Sequence, residues 1–183
     1  MNKIKAFIDE IGSEEMNSEG AIDLIKYTII FIPKDVKSIL CIGFGGGTEL
    51  RLLEEKGYEV HGIDYNKNNV EKNKDFNVRQ GDMHDIDFED NSFDLVLARD
   101  VFEHSIAPMV AFREFARVSK KHIYIVLPDE TWALSDLHTI IPTLKQMIAL
   151  GIKFDCMLSW FNEKYHIAGR WIFKESYYIF RKK

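Results

Sequence analysis

The sequence predicts an α/β fold built on a mainly parallel sheet, and three observations carry that expectation. Between Ser38 and Pro128, short apolar runs alternate with amphipathic segments, the rhythm of strands joined by crossover helices. The first of those runs, Ser38-Ile39-Leu40-Cys41-Ile42, ends in Gly43-Phe44-Gly45-Gly46-Gly47, a strand-to-helix turn. Near the end of the chain, 153–160 and 175–182 read as strands with no helix between them, so they must pair antiparallel as a hairpin.

The elements follow in order. Ile4, Phe7, Ile8 and Ile11 form one apolar stripe at helical spacing, and a second helix over 21–31 stops before Pro33. After the glycine turn, 48–56 reads as a helix with Gly57 as its cap. Residues 58–63 read as a strand ending at Asp64, 66–74 as a polar helix, 77–79 as a brief strand and 93–98 as a buried strand. A helix over 108–118 points Val110, Phe112, Phe115 and Val118 inward, and a strand over 122–127 stops at Pro128. Residues 131–138 read as irregular or weakly helical. A helix over 142–150 would start at Pro142 and be capped by Gly151.

Composition narrows the class. The chain has 183 residues, 46% hydrophobic and 29% charged, with a net charge of -5, which suits one domain with a sizeable core. We read it as a single domain over 1–183: N-terminal helices over 1–34, a core over 36–130, and a substrate-side segment with the hairpin over 131–183. An acidic chain without a basic face argues against nucleic-acid binding. Two cysteines, Cys41 and Cys156, do not make a disulfide scaffold. No cluster of Cys and His reads as a metal site, so no metal is expected. The charged N-terminus is not a secretory signal, and no apolar run is long enough to span a membrane. The expectation is a soluble, cytoplasmic protein, monomeric or homodimeric.

Candidate chemistry gathers at the strand ends. A glycine-rich turn lets a ligand approach the backbone, and the helix after it presents free N–H groups and a positive dipole end. A dinucleotide fingerprint wants a third glycine at the sixth position of the turn, where Thr48 stands. Without a ligand, the turn is simply a tight strand-helix connection. Asp64 lies 21 residues after Gly43, where a carboxylate can accept both hydroxyls of a ribose; alternatively it caps the next helix. Asp82 in Gly81-Asp82-Met83 can accept from an adenine amino group with Met83 against the purine face, or it is a turn aspartate.

These stretches, with Asn91-Ser92-Phe93-Asp94-Leu95-Val96-Leu97-Ala98-Arg99-Asp100-Val101-Phe102-Glu103-His104 and Phe112-Arg113-Glu114-Phe115-Ala116-Arg117-Val118, resemble the class I S-adenosylmethionine-dependent methyltransferases of small-molecule type. The likeness covers residues 36–130. It implies a Rossmann-like seven-stranded sheet of order 3-2-1-4-5-7-6, strand 7 antiparallel, with helices on both faces. It implies S-adenosyl-L-methionine as cofactor and S-adenosyl-L-homocysteine as product. Gly43, Phe44 and Gly45 would line the methionine part, Asp64 and Tyr65 the ribose, and Asp82 and Met83 the adenine. Arg99 would stand where the backbone meets the cofactor's amino group. One departure is Cys41, two places before the first glycine, where the family carries an acidic residue; Glu49 and Asp100 are possible substitutes.

The implied reaction moves a methyl group to an O or N atom of a small molecule. It needs alignment above all, and a base where the acceptor must lose a proton. Base candidates near the ends of strands four and five are Asp100, Glu103, His104, Asp129 and His138; His104 and Asp100 are taken as catalytic, His104 first because histidine as a residue type titrates near neutral pH. The alternative is that Glu103 and His104 only fix the loop before Pro108. Acceptor selection falls to the N-terminal helices, to 131–143 with Trp132, His138 and the later His166, and to 160–171, where Trp160, Phe161 and Tyr165, with Trp171 and Phe173, form either an aromatic lid or core. Two competing functions remain: a catalytically degenerate cofactor- or partner-binding domain, and a nicotinamide-dependent oxidoreductase, against which the missing third glycine argues.

Overall fold

A computed structural model describes residues 19–128, 138–168 and 171–183. The helix expected over the first eleven residues, the stretch expected to be irregular before His138, and the side chains of His166, Trp171 and Phe173 lie outside what is described. In chain order the elements are α1 (Glu19–Ile30), β1 (Ser38–Ile42), α2 (Thr48–Glu55), β2 (Glu59–Asp64), α3 (Lys67–Lys72), β3 (Asn77–Gln80) and β4 (Phe93–Arg99). They continue with a 3-10 turn (Phe102–His104), α4 (Pro108–Val118), β5 (Ser119–Pro128), α5 (Leu144–Lys153), β6 (Cys156–Ala168) and β7 (Trp171–Lys182).

The strands form one sheet of order β3-β2-β1-β4-β5-β7-β6. β1 to β5 pair in parallel, and β7 runs antiparallel to both β5 and β6. The expected order and the terminal hairpin are therefore both present. β1 and β4 are buried along their whole length, as strands covered on both faces must be. Their alternate side chains feed two cores. Leu40, Ile42, Val96 and Ala98 point to α4 and α5, against Ala111, Phe112, Phe115 and Met147. Ile39, Cys41, Leu95 and Leu97 point to α1 and α2, against Ile25, Ile29, Leu50 and Leu53. Phe112 and Phe115 are fully buried, so truncating either to Ala costs about 3–5 kcal/mol.

Local chemistry moves several boundaries. The side chain of Asn66, not Asp64, caps α3, accepting from Asn68 N, and the helix is shorter than the pattern implies. α5 begins at Leu144, because Thr143 and Gln146 form a reciprocal capping box, which outcompetes Pro142 as a start. Gly151 lies inside α5 rather than capping it. A Cβ there would stand 2.6 Å from the Cys156 carbonyl and 2.8 Å from the Phe180 ring, so glycine is required for close packing on β6 and β7. Val110 is only half-buried, and Ala111 takes the inward position. Trp160 stacks on Phe31 with centroids 4.4 Å apart, and Phe161 packs on Tyr178. Those two aromatics are core rather than lid, while Tyr165 is exposed.

Candidate active site

The glycine turn sits at the carboxyl ends of β1 and β2, the position where open α/β sheets bind ligands. Its glycines do different work. A side chain on Gly43 would collide with Val101, whose Cγ2 lies 2.5 Å from the Cβ position. Gly45 has a φ of 53° and nothing within 4 Å of its Cβ position, so ligand access belongs to Gly45. The ring of Phe44 is buried beside Gly62, which leaves only its backbone for a ligand. Asp64 is buried and already accepts from Gly45 N at 2.9 Å, Asn66 N at 2.8 Å and Asn69 Nδ2 at 3.2 Å. Burial raises its carboxyl and those bonds work against the rise. A carboxylate has about four acceptor sites, so holding both ribose hydroxyls requires one internal bond, such as that from Gly45, to yield. Tyr65 follows and is 56% exposed.

Beneath the turn lies a buried charge cluster that links β4, α2 and β7. Arg99 reaches Asp100 Oδ2 at 2.7 Å and Glu175 Oε1 at 2.9 Å, and Tyr177 donates its hydroxyl to Glu175 Oε2. Arg99 Nε and Glu49 Oε1 are buried without hydrogen bonds. Burial pushes Glu49 up to about 7, with Arg99 opposing and Asp100 adding to the rise. Cys41 is fully buried in the α1–α2 core, and burial with the nearby Glu49 raises its thiol far above the usual range. Cys41 is thus a small apolar residue, and the acidic group of this region comes from α2 instead. Asp100 has a φ of 50° and is raised chiefly by burial, against the attraction of Arg99.

In the turn after β3, Asp82 Oδ1 accepts from His84 N at 2.8 Å and lies 2.6 Å from His84 Nδ1. His84 Nε2 lies 2.8 Å from Ser105 Oγ. With Asp82 accepting the Nδ1 proton, a neutral ring accepts at Nε2 from the serine; this tautomer is assigned from the bonding pattern. Ser105 is 1% exposed, so the Asp-His-Ser chain braces two loops instead of presenting a nucleophile. His84 carried no signal in the sequence beyond following Met83, which is half-buried against the core.

His104 sits on the 3-10 turn after β4. Thr139 donates to the Glu103 carbonyl through its N at 2.9 Å and its Oγ1 at 2.8 Å, and Oγ1 also reaches the Ser105 carbonyl at 2.6 Å. These bonds bring His138 to the turn, with its ring centroid 5.0 Å from that of His104. The sequence offers no Cys and His ligand cluster, but among the described residues Glu103, His104 and His138 each present a potential ligand atom within 4.8 Å of the others. Glu103 and His138 lie far apart in sequence, so only the fold reveals the group.

A parallel sheet with its glycine turn, a carboxylate ending β2 and a polar cluster after β4 defines a Rossmann-like domain for an adenosine-bearing cofactor. Residues 40–127 match the family described as the methyltransferase domain. The chain is 33% identical over 133 residues to the demethylmenaquinone methyltransferase of Staphylococcus aureus (strain MRSA252), covering 67% of this chain and 52% of that one. It spans about half the length of that curated relative. Among solved structures, a SAM-dependent methyltransferase from Methanosarcina mazei superposes with a TM-score of 0.70 at 18% identity, covering 84% of this chain and 96% of that one. The [4+2]-cyclase SpnF superposes at 0.74 and 15% identity, covering 92% and 84%. Residues 40–127 thus match the methyltransferase-domain family, and the sheet around them has the Rossmann-like fold of the solved methyltransferases.

Proposed function

We propose that the chain binds S-adenosyl-L-methionine and transfers its methyl group to an O or N atom of a small molecule, releasing S-adenosyl-L-homocysteine. The observation that carries this reading is the pairing of an open Gly45 with a buried, unbonded carboxylate oxygen on Glu49. An unsatisfied buried carboxylate beneath a ligand-accessible turn fits an ammonium group. Glu49 then supplies the acidic group that the family resemblance implies at the position of Cys41. Asp64 accepts from the ribose, Asp82 and Met83 flank the adenine, and the Gly43 to Gly45 backbone follows the methionine part.

The bound cofactor supplies an activated methyl on a sulfonium leaving group. The protein aligns the acceptor, and His104 or Asp100 accepts a proton where the acceptor must lose one. An apolar groove of about 520 Å³, lined by Ala107, Pro108, Met109, Ile140 and Leu150 among others, opens beside the residues that follow His104 and His138. It suits an acceptor with an apolar body. No helix among the described residues is long and apolar enough to cross a membrane.

The likeness to a cyclase shows that this fold also serves other reactions. The second reading, a cofactor-binding domain without methyl transfer, rests on Cys41. Calorimetry with S-adenosylmethionine, S-adenosylhomocysteine and NAD separates the readings. Binding of NAD alone overturns the proposal. Adenosyl ligands that bind without methyl transfer to a metabolite panel favour the binder. Asp64→Ala is expected to lose most adenosyl affinity; unchanged affinity removes Asp64 from the site.

A further inference from the structure

We infer that Glu103, His104 and His138 bind one divalent transition-metal ion, with Zn²⁺ the best match, just beyond the carboxyl end of β4. Three observations carry this, and none depends on the methyl-transfer reading. First, the donor set is two imidazoles and one carboxylate, with ligand atoms all within 4.8 Å of one another. Tetrahedral Zn²⁺ at about 2.1 Å from each ligand places them about 3.4 Å apart, so the ligand atoms need to close by at most about 1.4 Å from the 4.8 Å limit. Second, Glu103 is 1% exposed and its Oε2 makes no hydrogen bond. A buried carboxylate oxygen left bare costs about 1–3 kcal/mol or more, and a cation offsets that cost. Third, Thr139 ties the two loops together through the Glu103 and Ser105 carbonyls, which fixes the backbones that present all three ligands.

The mixed imidazole and carboxylate set selects Zn²⁺, Co²⁺ or Fe²⁺ over Mg²⁺ and Ca²⁺, which prefer oxygen alone. Three protein ligands leave one position open. That position can take an oxygen atom of a bound molecule and lower its pKa. A metal-bound His104 is a ligand and no longer a base. This assigns His104 a second chemistry at the same place.

The test uses the full chain after chelator treatment, titrated with Zn²⁺ by calorimetry and with Co²⁺ by visible absorption. One ion per chain is expected, with cobalt d–d bands and no thiolate charge-transfer band. His138→Ala and Glu103→Gln are each expected to weaken binding at least about 10-fold, with circular dichroism confirming the fold. If Glu103→Gln fails to fold, His138→Ala alone decides. No uptake, a thiolate band that places the ion on Cys41 or Cys156, or uptake unchanged by His138→Ala overturns the assignment.

Discussion

Replacing Glu49 by Gln tests how this chain compensates for Cys41. In the ligand-free fold burial raises the Glu49 carboxyl from its ordinary 4.5 to about 7. The folded chain therefore holds that proton more tightly than the unfolded chain does. The raised pKa favours the fold below 4.5, and the advantage fades as pH climbs through 7, an interval worth about 3 kcal/mol. An ammonium group beside Glu49 reverses the balance, because it favours the anion. Returning the carboxyl to about 4.5 in the complex makes binding about 20-fold tighter at pH 7.5 than at 5.5. Calorimetry with S-adenosylhomocysteine in buffers of different ionisation heat reads both the affinity and the released proton, close to one per site at pH 5.5 to 6. Glu49→Gln is expected to abolish the proton release and flatten the pH profile of affinity. It should also flatten the loss of thermal stability between pH 5 and 8. A wild-type affinity that is level across this range, or a profile the variant leaves intact, refutes the role of Glu49.

Two further outcomes follow from packing. Gly151→Ala gains about 1 kcal/mol in helix propensity but drives a methyl group into the Cys156 carbonyl and the Phe180 ring, a clash of about 1–3 kcal/mol; thermal melting should show a lower Tm, and a rise would contradict the contact. Arg99→Met leaves Glu175 and Asp100 buried without their cation, which costs about 3–5 kcal/mol and lowers Tm by roughly 6–20 °C for a chain of this size. Adding Glu175→Gln should restore part of that loss, and strict additivity would show that the two residues do not act as a pair.

Much of the fold was legible because the buried strands write themselves as unbroken apolar runs: Ile39 to Ile42 and Phe93 to Ala98 are buried at every position. The two strands after α5 had to pair antiparallel for want of a crossover, and they do. The edges of elements were less legible. Gly151 looks like a cap to local rules, and only the approach of Phe180 explains it. The site divides in the same way. Gly45 and Asp64 are close in sequence terms and could be found by spacing. Glu49 was visible as a possible substitute, but its buried, unbonded state arises from its setting beneath the turn. His84 and the Glu103–His138 contact depend on loops that meet only in three dimensions, so no period or motif could announce them.

The pairing of Arg99 with Glu175 spans 76 residues, and this has a consequence for how the chain matures. At about 5–20 residues per second, a ribosome takes roughly 4–15 s to make that intervening stretch. Through this delay β1 to β4 are already made, yet the Arg99 guanidinium has Asp100 and the more distant Glu49 to answer it and still lacks Glu175. The nascent domain should therefore hesitate short of its final packing until β7 arrives. The last strand acts as the closing clasp, and an arrested intermediate that ends before Glu175 is a natural target for a chaperone.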